Sequence, residues 1–146
     1  MKEIIDQLLH ARSLNERVDT GVGSISSINR AYEIQDSIAQ NLGEITGWKL
    51  GRIENQIVFA PVHDSHTFVE NKKISRSDLC LFGFEAELGI IISEQLLEKE
   101  VHQLDVADIL NLIVHVVELV GARDSAEIGS LPTTAAVADH FILHSG

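Results

Sequence analysis

Thiol chemistry is almost absent from this chain: its only cysteine, Cys80, excludes an internal disulfide framework. Long apolar runs are missing too. The densest stretch, Ile113-Val114 and Val116-Val117, is broken by His115 and Glu118, well short of the roughly 20 apolar residues needed to span a bilayer. Met1 leads straight into Lys2-Glu3-Ile4-Ile5-Asp6 with no signal-type apolar stretch, so a cytoplasmic setting is expected. Positive charge is scarce, with 11 basic residues against 22 acidic ones and a formal charge of −11. Such a field repels a phosphate backbone or an anionic membrane surface, which argues against nucleic acid and membrane as partners. A small anionic ligand would need a local cation to hold it, from a metal or a lysine.

What is present is enough for one core. The 146 residues, 45% of them hydrophobic, suit a single domain over 1–146, with a helical section at 1–46 and a β-rich section at 47–146. Ile4, Ile5, Leu8, Leu9 and Ala11 recur at helical spacing, and Ile28, Ala31, Tyr32, Gln35, Ile38, Ala39 and Leu42 resume it after the Gly-Ser break at Gly21 to Ser27. Ser24, Ser26 or Ser27 can cap the second helix, and Gly43 lies just past its last apolar position. From Ile45 the texture turns to short strands, with Trp48, Leu50, Ile57, Val58, Phe59, Val62 and Phe68 set among glycines and polar turn residues. Phe84, Ala86, Leu88, Ile90 and Ile92 alternate onto one face of the clearest strand. Asp105 is placed to cap a short helix through Leu112, and the β-branched run Val114 to Val120 predicts a second, buried strand.

The candidate chemistry lies on those last two strands. Glu85 and Glu87 share a face, their Cα atoms about 6.5 to 7 Å apart by the strand rise. Glu118 shares its face with Val114, Val116 and Val120, and an ionised group among apolar neighbours is costly unless paired, metal-bound or protonated. Three clustered carboxylates repel one another, and an oxygen-only donor set matches Mg²⁺ or Mn²⁺, which would cancel most of that charge. A solvated strand face bearing Glu85 and Glu87, with Glu118 paired to Arg123 or a lysine, is the alternative that spacing alone leaves open.

Four patches give the chain a family likeness. Ala31-Tyr32-Glu33-Ile34-Gln35, Gly47-Trp48-Lys49-Leu50-Gly51, Phe84-Glu85-Ala86-Glu87-Leu88 and Val117-Glu118-Leu119-Val120-Gly121-Ala122-Arg123 occur in this order from residue 28 to about 140. In sequence, order and spacing they resemble the fumarylacetoacetate hydrolase superfamily, in particular its branch of 2-keto-4-pentenoate hydratases and 2-oxo acid decarboxylases. The resemblance implies an α+β fold in which N-terminal helices pack on a mixed β-sheet core. It implies that Glu85, Glu87 and Glu118 bind Mg²⁺ or Mn²⁺, which a 2-oxo acid chelates. It makes Lys49 a catalytic and substrate-binding lysine, Asp64 a weaker acid/base candidate within Val62-His63-Asp64-Ser65-His66, and Arg123 a contact for the substrate carboxylate or a structural ion-pair partner. His63 and His66 could position water, although simple loop roles are commoner.

Two departures bear on activity. Only Asn55 to Pro61 stands where the family has a longer loop with an acid/base aspartate, and the chain stops soon after Ala138-Asp139-His140-Phe141-Ile142-Leu143, so a C-terminally shortened homologue completed by self-association is expected. The leading expectation is a lyase, a hydratase adding water to a 2-oxo-alkenoic acid of the 2-keto-4-pentenoate type in aromatic-compound catabolism. A 2-oxo acid decarboxylase or a 1,3-diketo acid C–C hydrolase shares the same metal and enolate chemistry. From another class comes a non-catalytic subunit that partners an active relative.

Overall fold

The structure, a computed structural model, describes residues 1–53, 55–68, 72–74, 80–93, 101–110, 112–127 and 130–139, without the side chains of Leu81, Phe82 and Val101. The elements run α1 (Lys2–Leu14), α2 (Ile28–Ala39), β1 (Ile45–Ile53), β2 (Gln56–His63), β3 (Leu81–Ile90), α3 (Val106–Leu110), β4 (Ile113–Gly121) and α4 (Thr133–Ala138), with 3-10 turns at Val22–Ser24, Asp64–His66 and Val101–Gln103. Helices with antiparallel strand pairs make this an α+β chain. It divides into two compact units, Met1–Gly83 with Leu119–Gly146, and Phe84–Glu118. The helical residues 1–46 therefore share their unit with the β1–β2 hairpin and α4.

Local chemistry accounts for the helix ends. Ser27 is the serine that caps α2, its hydroxyl accepting from Arg30 N–H at 3.3 Å. At the end of α1, Asn15 adopts the left-handed conformation (φ 53°), and Glu16 N–H reaches back to Ala11 O at 3.1 Å, satisfying a terminal carbonyl. Asp105 caps α3 as its sequence predicts: Asp108 N–H donates to the Asp105 carboxylate at 2.8 Å, and Asp105 N–H donates back to Asp108 at 3.3 Å.

The core belongs to the first unit. Leu8 of α1, Ile34 and Ile38 of α2, Val58 and Ala60 of β2, and Ala135 and Val137 of α4 form one buried cluster with Val22 and Ile25. The Ala-Tyr-x-x-Gln patch has a structural role here. Ala31 lies in the cluster, Tyr32 stacks on Phe59 with ring centroids 4.7 Å apart, and the buried Gln35 amide donates to Val137 O at 2.7 Å and Phe59 O at 3.3 Å. One side chain thereby joins α2 to both α4 and β2.

Strands β1 and β2 form an antiparallel hairpin pairing Lys49 with Ala60 and Gly51 with Val58, with an irregularity between Ile45 and Gly47. Residues Asn55 to Pro61, read from sequence as a shortened loop, are mostly strand. Side-chain alternation then sorts the faces: Val58 and Ala60 point into the core, while Trp48, Leu50, Ile57 and Phe59 are exposed. The mixed β-sheet expected from the resemblance is not found among the described residues, which form two separate two-stranded sheets, β1–β2 and β3–β4. Strand β4 also departs from expectation. Its first half is open to solvent at His115, Val116 and Val117, and full burial begins only at Glu118, because a two-stranded ribbon leaves each strand one open edge and a face to be covered by something else. The apolar group Phe141-Ile142-Leu143 lies outside the described residues.

Candidate metal centre

The register between β3 and β4 decides which carboxylates meet. Ile91 N–H donates to Leu112 O at 3.1 Å. A Cβ added at Gly89 would come within 3.0 Å of Val116 and 3.1 Å of Val114, and one at Gly83 would lie 3.9 Å from Val120. Ascending positions on β3 thus meet descending positions on β4, as an antiparallel pair requires, and a single register satisfies every contact. In that register Glu118 stands across from Glu85, and Glu87 is its diagonal neighbour on the same face. A side chain at 89 would press on both valines, which would have to give by a few tenths of an ångström, so Gly89 favours this close packing against β4.

One ligand oxygen from each of Glu85, Glu87 and Glu118 can be chosen so that all lie within 4.8 Å of one another. Glu85 and Glu87 are exposed, whereas Glu118 retains 9% of its accessibility. Directly opposed like charges destabilise an antiparallel pair, so the arrangement costs energy unless a cation offsets it. The donor set fits a hard divalent ion. Ligand oxygens on opposite sides of Ca²⁺ stand about 4.8 Å apart and those around Mg²⁺ at most about 4.2 Å, so the three glutamates span a distance of the size one such ion bridges, and the smaller ion would draw them further together. Glu85 and Glu87 are exposed, as the solvated-face alternative has them, while Glu118 is buried.

Lys49, Asp64 and Arg123 belong to the first unit. Lys49 lies between Gly47 and Gly51 on the face of the hairpin that carries Val58 and Ala60, and it is half-buried. Asp64 is exposed, with its carboxylate accepting from Ser65 N–H at 2.7 Å and its own N–H donating to Glu44 O at 3.1 Å. Arg123 is 2% exposed, and its side chain donates to Gly121 O at 3.5 Å. Direct contact between Arg123 and a substrate would require its surroundings to open.

Arg123 is part of a buried ionic cluster that sequence reasoning missed. Arg12 of α1 donates to Asp139 Oδ1 at 3.0 Å, both side chains being almost fully enclosed, while the other Asp139 oxygen accepts from Arg123 N–H at 3.2 Å. Burial, then the nearby Arg123 charge, lowers the Arg12 pKa to about 10. The same surroundings act on His66: burial first, then Arg12 and Arg123, push its imidazole down to about 4. His63, wholly buried, has Nδ1 3.2 Å from Gly43 O. Asp139 was visible in sequence as part of Ala138-Asp139, but nothing local pointed to a partner 127 positions away.

Neither protein-family models nor curated proteins provide a match to this chain. Among the described residues no helix is long and apolar enough to cross a membrane.

Proposed function

We propose that the chain holds Mg²⁺ or Mn²⁺ on Glu85, Glu87 and Glu118 and hydrates a 2-oxo-alkenoic acid of the 2-keto-4-pentenoate type, within a fold of the fumarylacetoacetate hydrolase kind. The observation that carries this reading is the convergence of three carboxylates from two paired strands to within 4.8 Å. The four sequence patches supply the reaction class by resemblance. A bound divalent ion would act as a Lewis acid, polarising the substrate ketone. Glu118, the enclosed ligand, sets the position of the site, and exposed Glu85 and Glu87 can adjust to the ion and its waters. Lys49 stabilises negative charge on the substrate and moves a proton, a role compatible with its half-buried place on the hairpin. Asp64 is the second proton carrier. Self-association, or association with a homologous subunit, is part of the same proposal.

Ultraviolet absorbance tests the reaction. Purified protein with Mg²⁺ should consume the dienoate signal of 2-hydroxypenta-2,4-dienoate, and Lys49→Ala should abolish that loss. Persistence of the signal with both Mg²⁺ and Mn²⁺, at every protein concentration tried, eliminates the hydratase reading while leaving metal binding to be judged by calorimetry.

A further inference from the structure

The guanidinium of Arg12 is enclosed but only partly satisfied. Its Nη2 donates to Asp139 Oδ1 at 3.0 Å and lies 3.5 Å from Asp139 O, whereas Nε and Nη1, both closed off from solvent, meet no acceptor among the described residues. Burying charged donors without an acceptor is costly, and such groups in folded chains are met by an ordered water or an ion. The surrounding charges distinguish these two. Asp139 is already shared, since its second oxygen accepts from Arg123 N–H at 3.2 Å. The charged groups that act most on Arg12 are Arg123 and Asp139, so two positive charges here meet one negative charge. A water would satisfy the donors and leave that imbalance, whereas one monovalent anion meets both needs. We infer that Arg12 and Arg123 together hold a small monovalent anion, of chloride or formate size, on the donors of Arg12 that Asp139 leaves open.

Charge and enclosure define the ligand. A dianion such as phosphate overshoots the balance by one charge, and a bulky carboxylate would force the end of α1 away from Asp139. The neighbouring histidine does not supply the missing charge: His66 is held neutral at pH 7, and its own lowered pKa reflects burial first and then the same two arginines, opposed weakly by exposed Asp64. Buried His63 beside it brings no negative charge either. His66 and Cys80, both half-buried and both within reach of these arginines, mark the side nearest solvent. All of these residues belong to one unit of the chain. The anion therefore completes the junction between the end of α1 and the end of α4, and the inference is independent of the metal chemistry and of the hydratase reading.

Thermal melting at pH 7 and constant ionic strength tests it, with sodium gluconate, whose anion is too large for an enclosed site, replaced by sodium chloride or sodium formate. Charge-assisted hydrogen bonding of this kind corresponds to a dissociation constant of about 10 mM, so about 100 mM of the bound anion should raise the melting temperature by about 3 to 6 °C. A response to chloride or to formate identifies which anion the site takes. Arg12→Lys keeps a positive charge for Asp139 but loses the Nε and Nη1 donors, and should abolish the shift. Equal melting temperatures of the unaltered chain in all three salts overturn the inference, as does a shift that survives in Arg12→Lys. Should that variant fail to fold by circular dichroism, proton NMR of the unaltered chain provides the second measurement. A bound negative charge beside the arginines should raise the His66 titration midpoint by about half a pH unit or more over its value in gluconate, and the same midpoint in every salt refutes the site.

Discussion

Replacing Glu118 by glutamine keeps the side chain's shape and removes one of the three charges at the candidate metal centre. A divalent ion attracts each carboxylate at about 2.1 Å, while the other two carboxylates repel it from up to 4.8 Å, so the attraction lost exceeds the repulsion relieved roughly twofold whatever the dielectric. With the oxygens at that full separation and the dielectric of water, the difference is about 2 kcal/mol, or about thirtyfold in affinity. Glu118 is buried, so the measured loss should be at least that large. Calorimetric titration with Mn²⁺ into metal-free protein would give both affinities, with circular dichroism confirming that the fold is kept. A Glu118→Gln affinity within threefold of the unaltered chain would refute the ligand assignment, as would an unaltered chain that binds Mn²⁺ no tighter than millimolar.

Three further outcomes follow from the same geometry. In excess chelator, Glu85→Gln should raise the melting temperature by about one to a few degrees, because it removes a like charge directly across the ribbon from Glu118; a lower melting temperature would show that Glu85 is paired rather than repelled. Asp139→Asn should cost about 3 to 5 kcal/mol in chemical denaturation, since it leaves buried Arg12 without its counter-charge; a loss under 1 kcal/mol would contradict the buried ion pair. His66 adds a pH dependence. Between about pH 6.5 and pH 4 the unfolded imidazole takes up a proton that the folded one refuses, so stability falls as pH drops through this window and levels off below it. The full displacement corresponds to about 3 kcal/mol, which solvent screening of a half-buried ring reduces to about 1 kcal/mol. His66→Gln should therefore lose about 1 kcal/mol less than the unaltered chain between pH 7 and pH 4.5, and equal losses would exclude this role.

Sequence alone determined the features that arise from neighbours along the chain. Apolar spacing placed α1 and α2, Ser27 and Asp105 acted as caps through bonds spanning three residues, and alternation placed Glu85 and Glu87 on one side of β3. Tertiary structure decided which side of each strand is enclosed and which distant residues meet. Periodicity shows that Phe84, Leu88 and Ile90 share a face without showing whether anything covers it, and here that face is open. The same limit applied to β4, whose β-branched composition suited burial although only its second half is enclosed. The meeting of Glu118 with Glu85 depended on the register of two strands, and a shift of one residue would have sent Glu118 to the opposite face. The buried contact between Arg12 and Asp139 required α1 and the end of α4 to come together across 127 positions. Short-range hydrogen bonding and side-chain period can be read from a string of residues because they involve only local backbone geometry, whereas burial and charge pairing depend on which distant segments exclude water from one another.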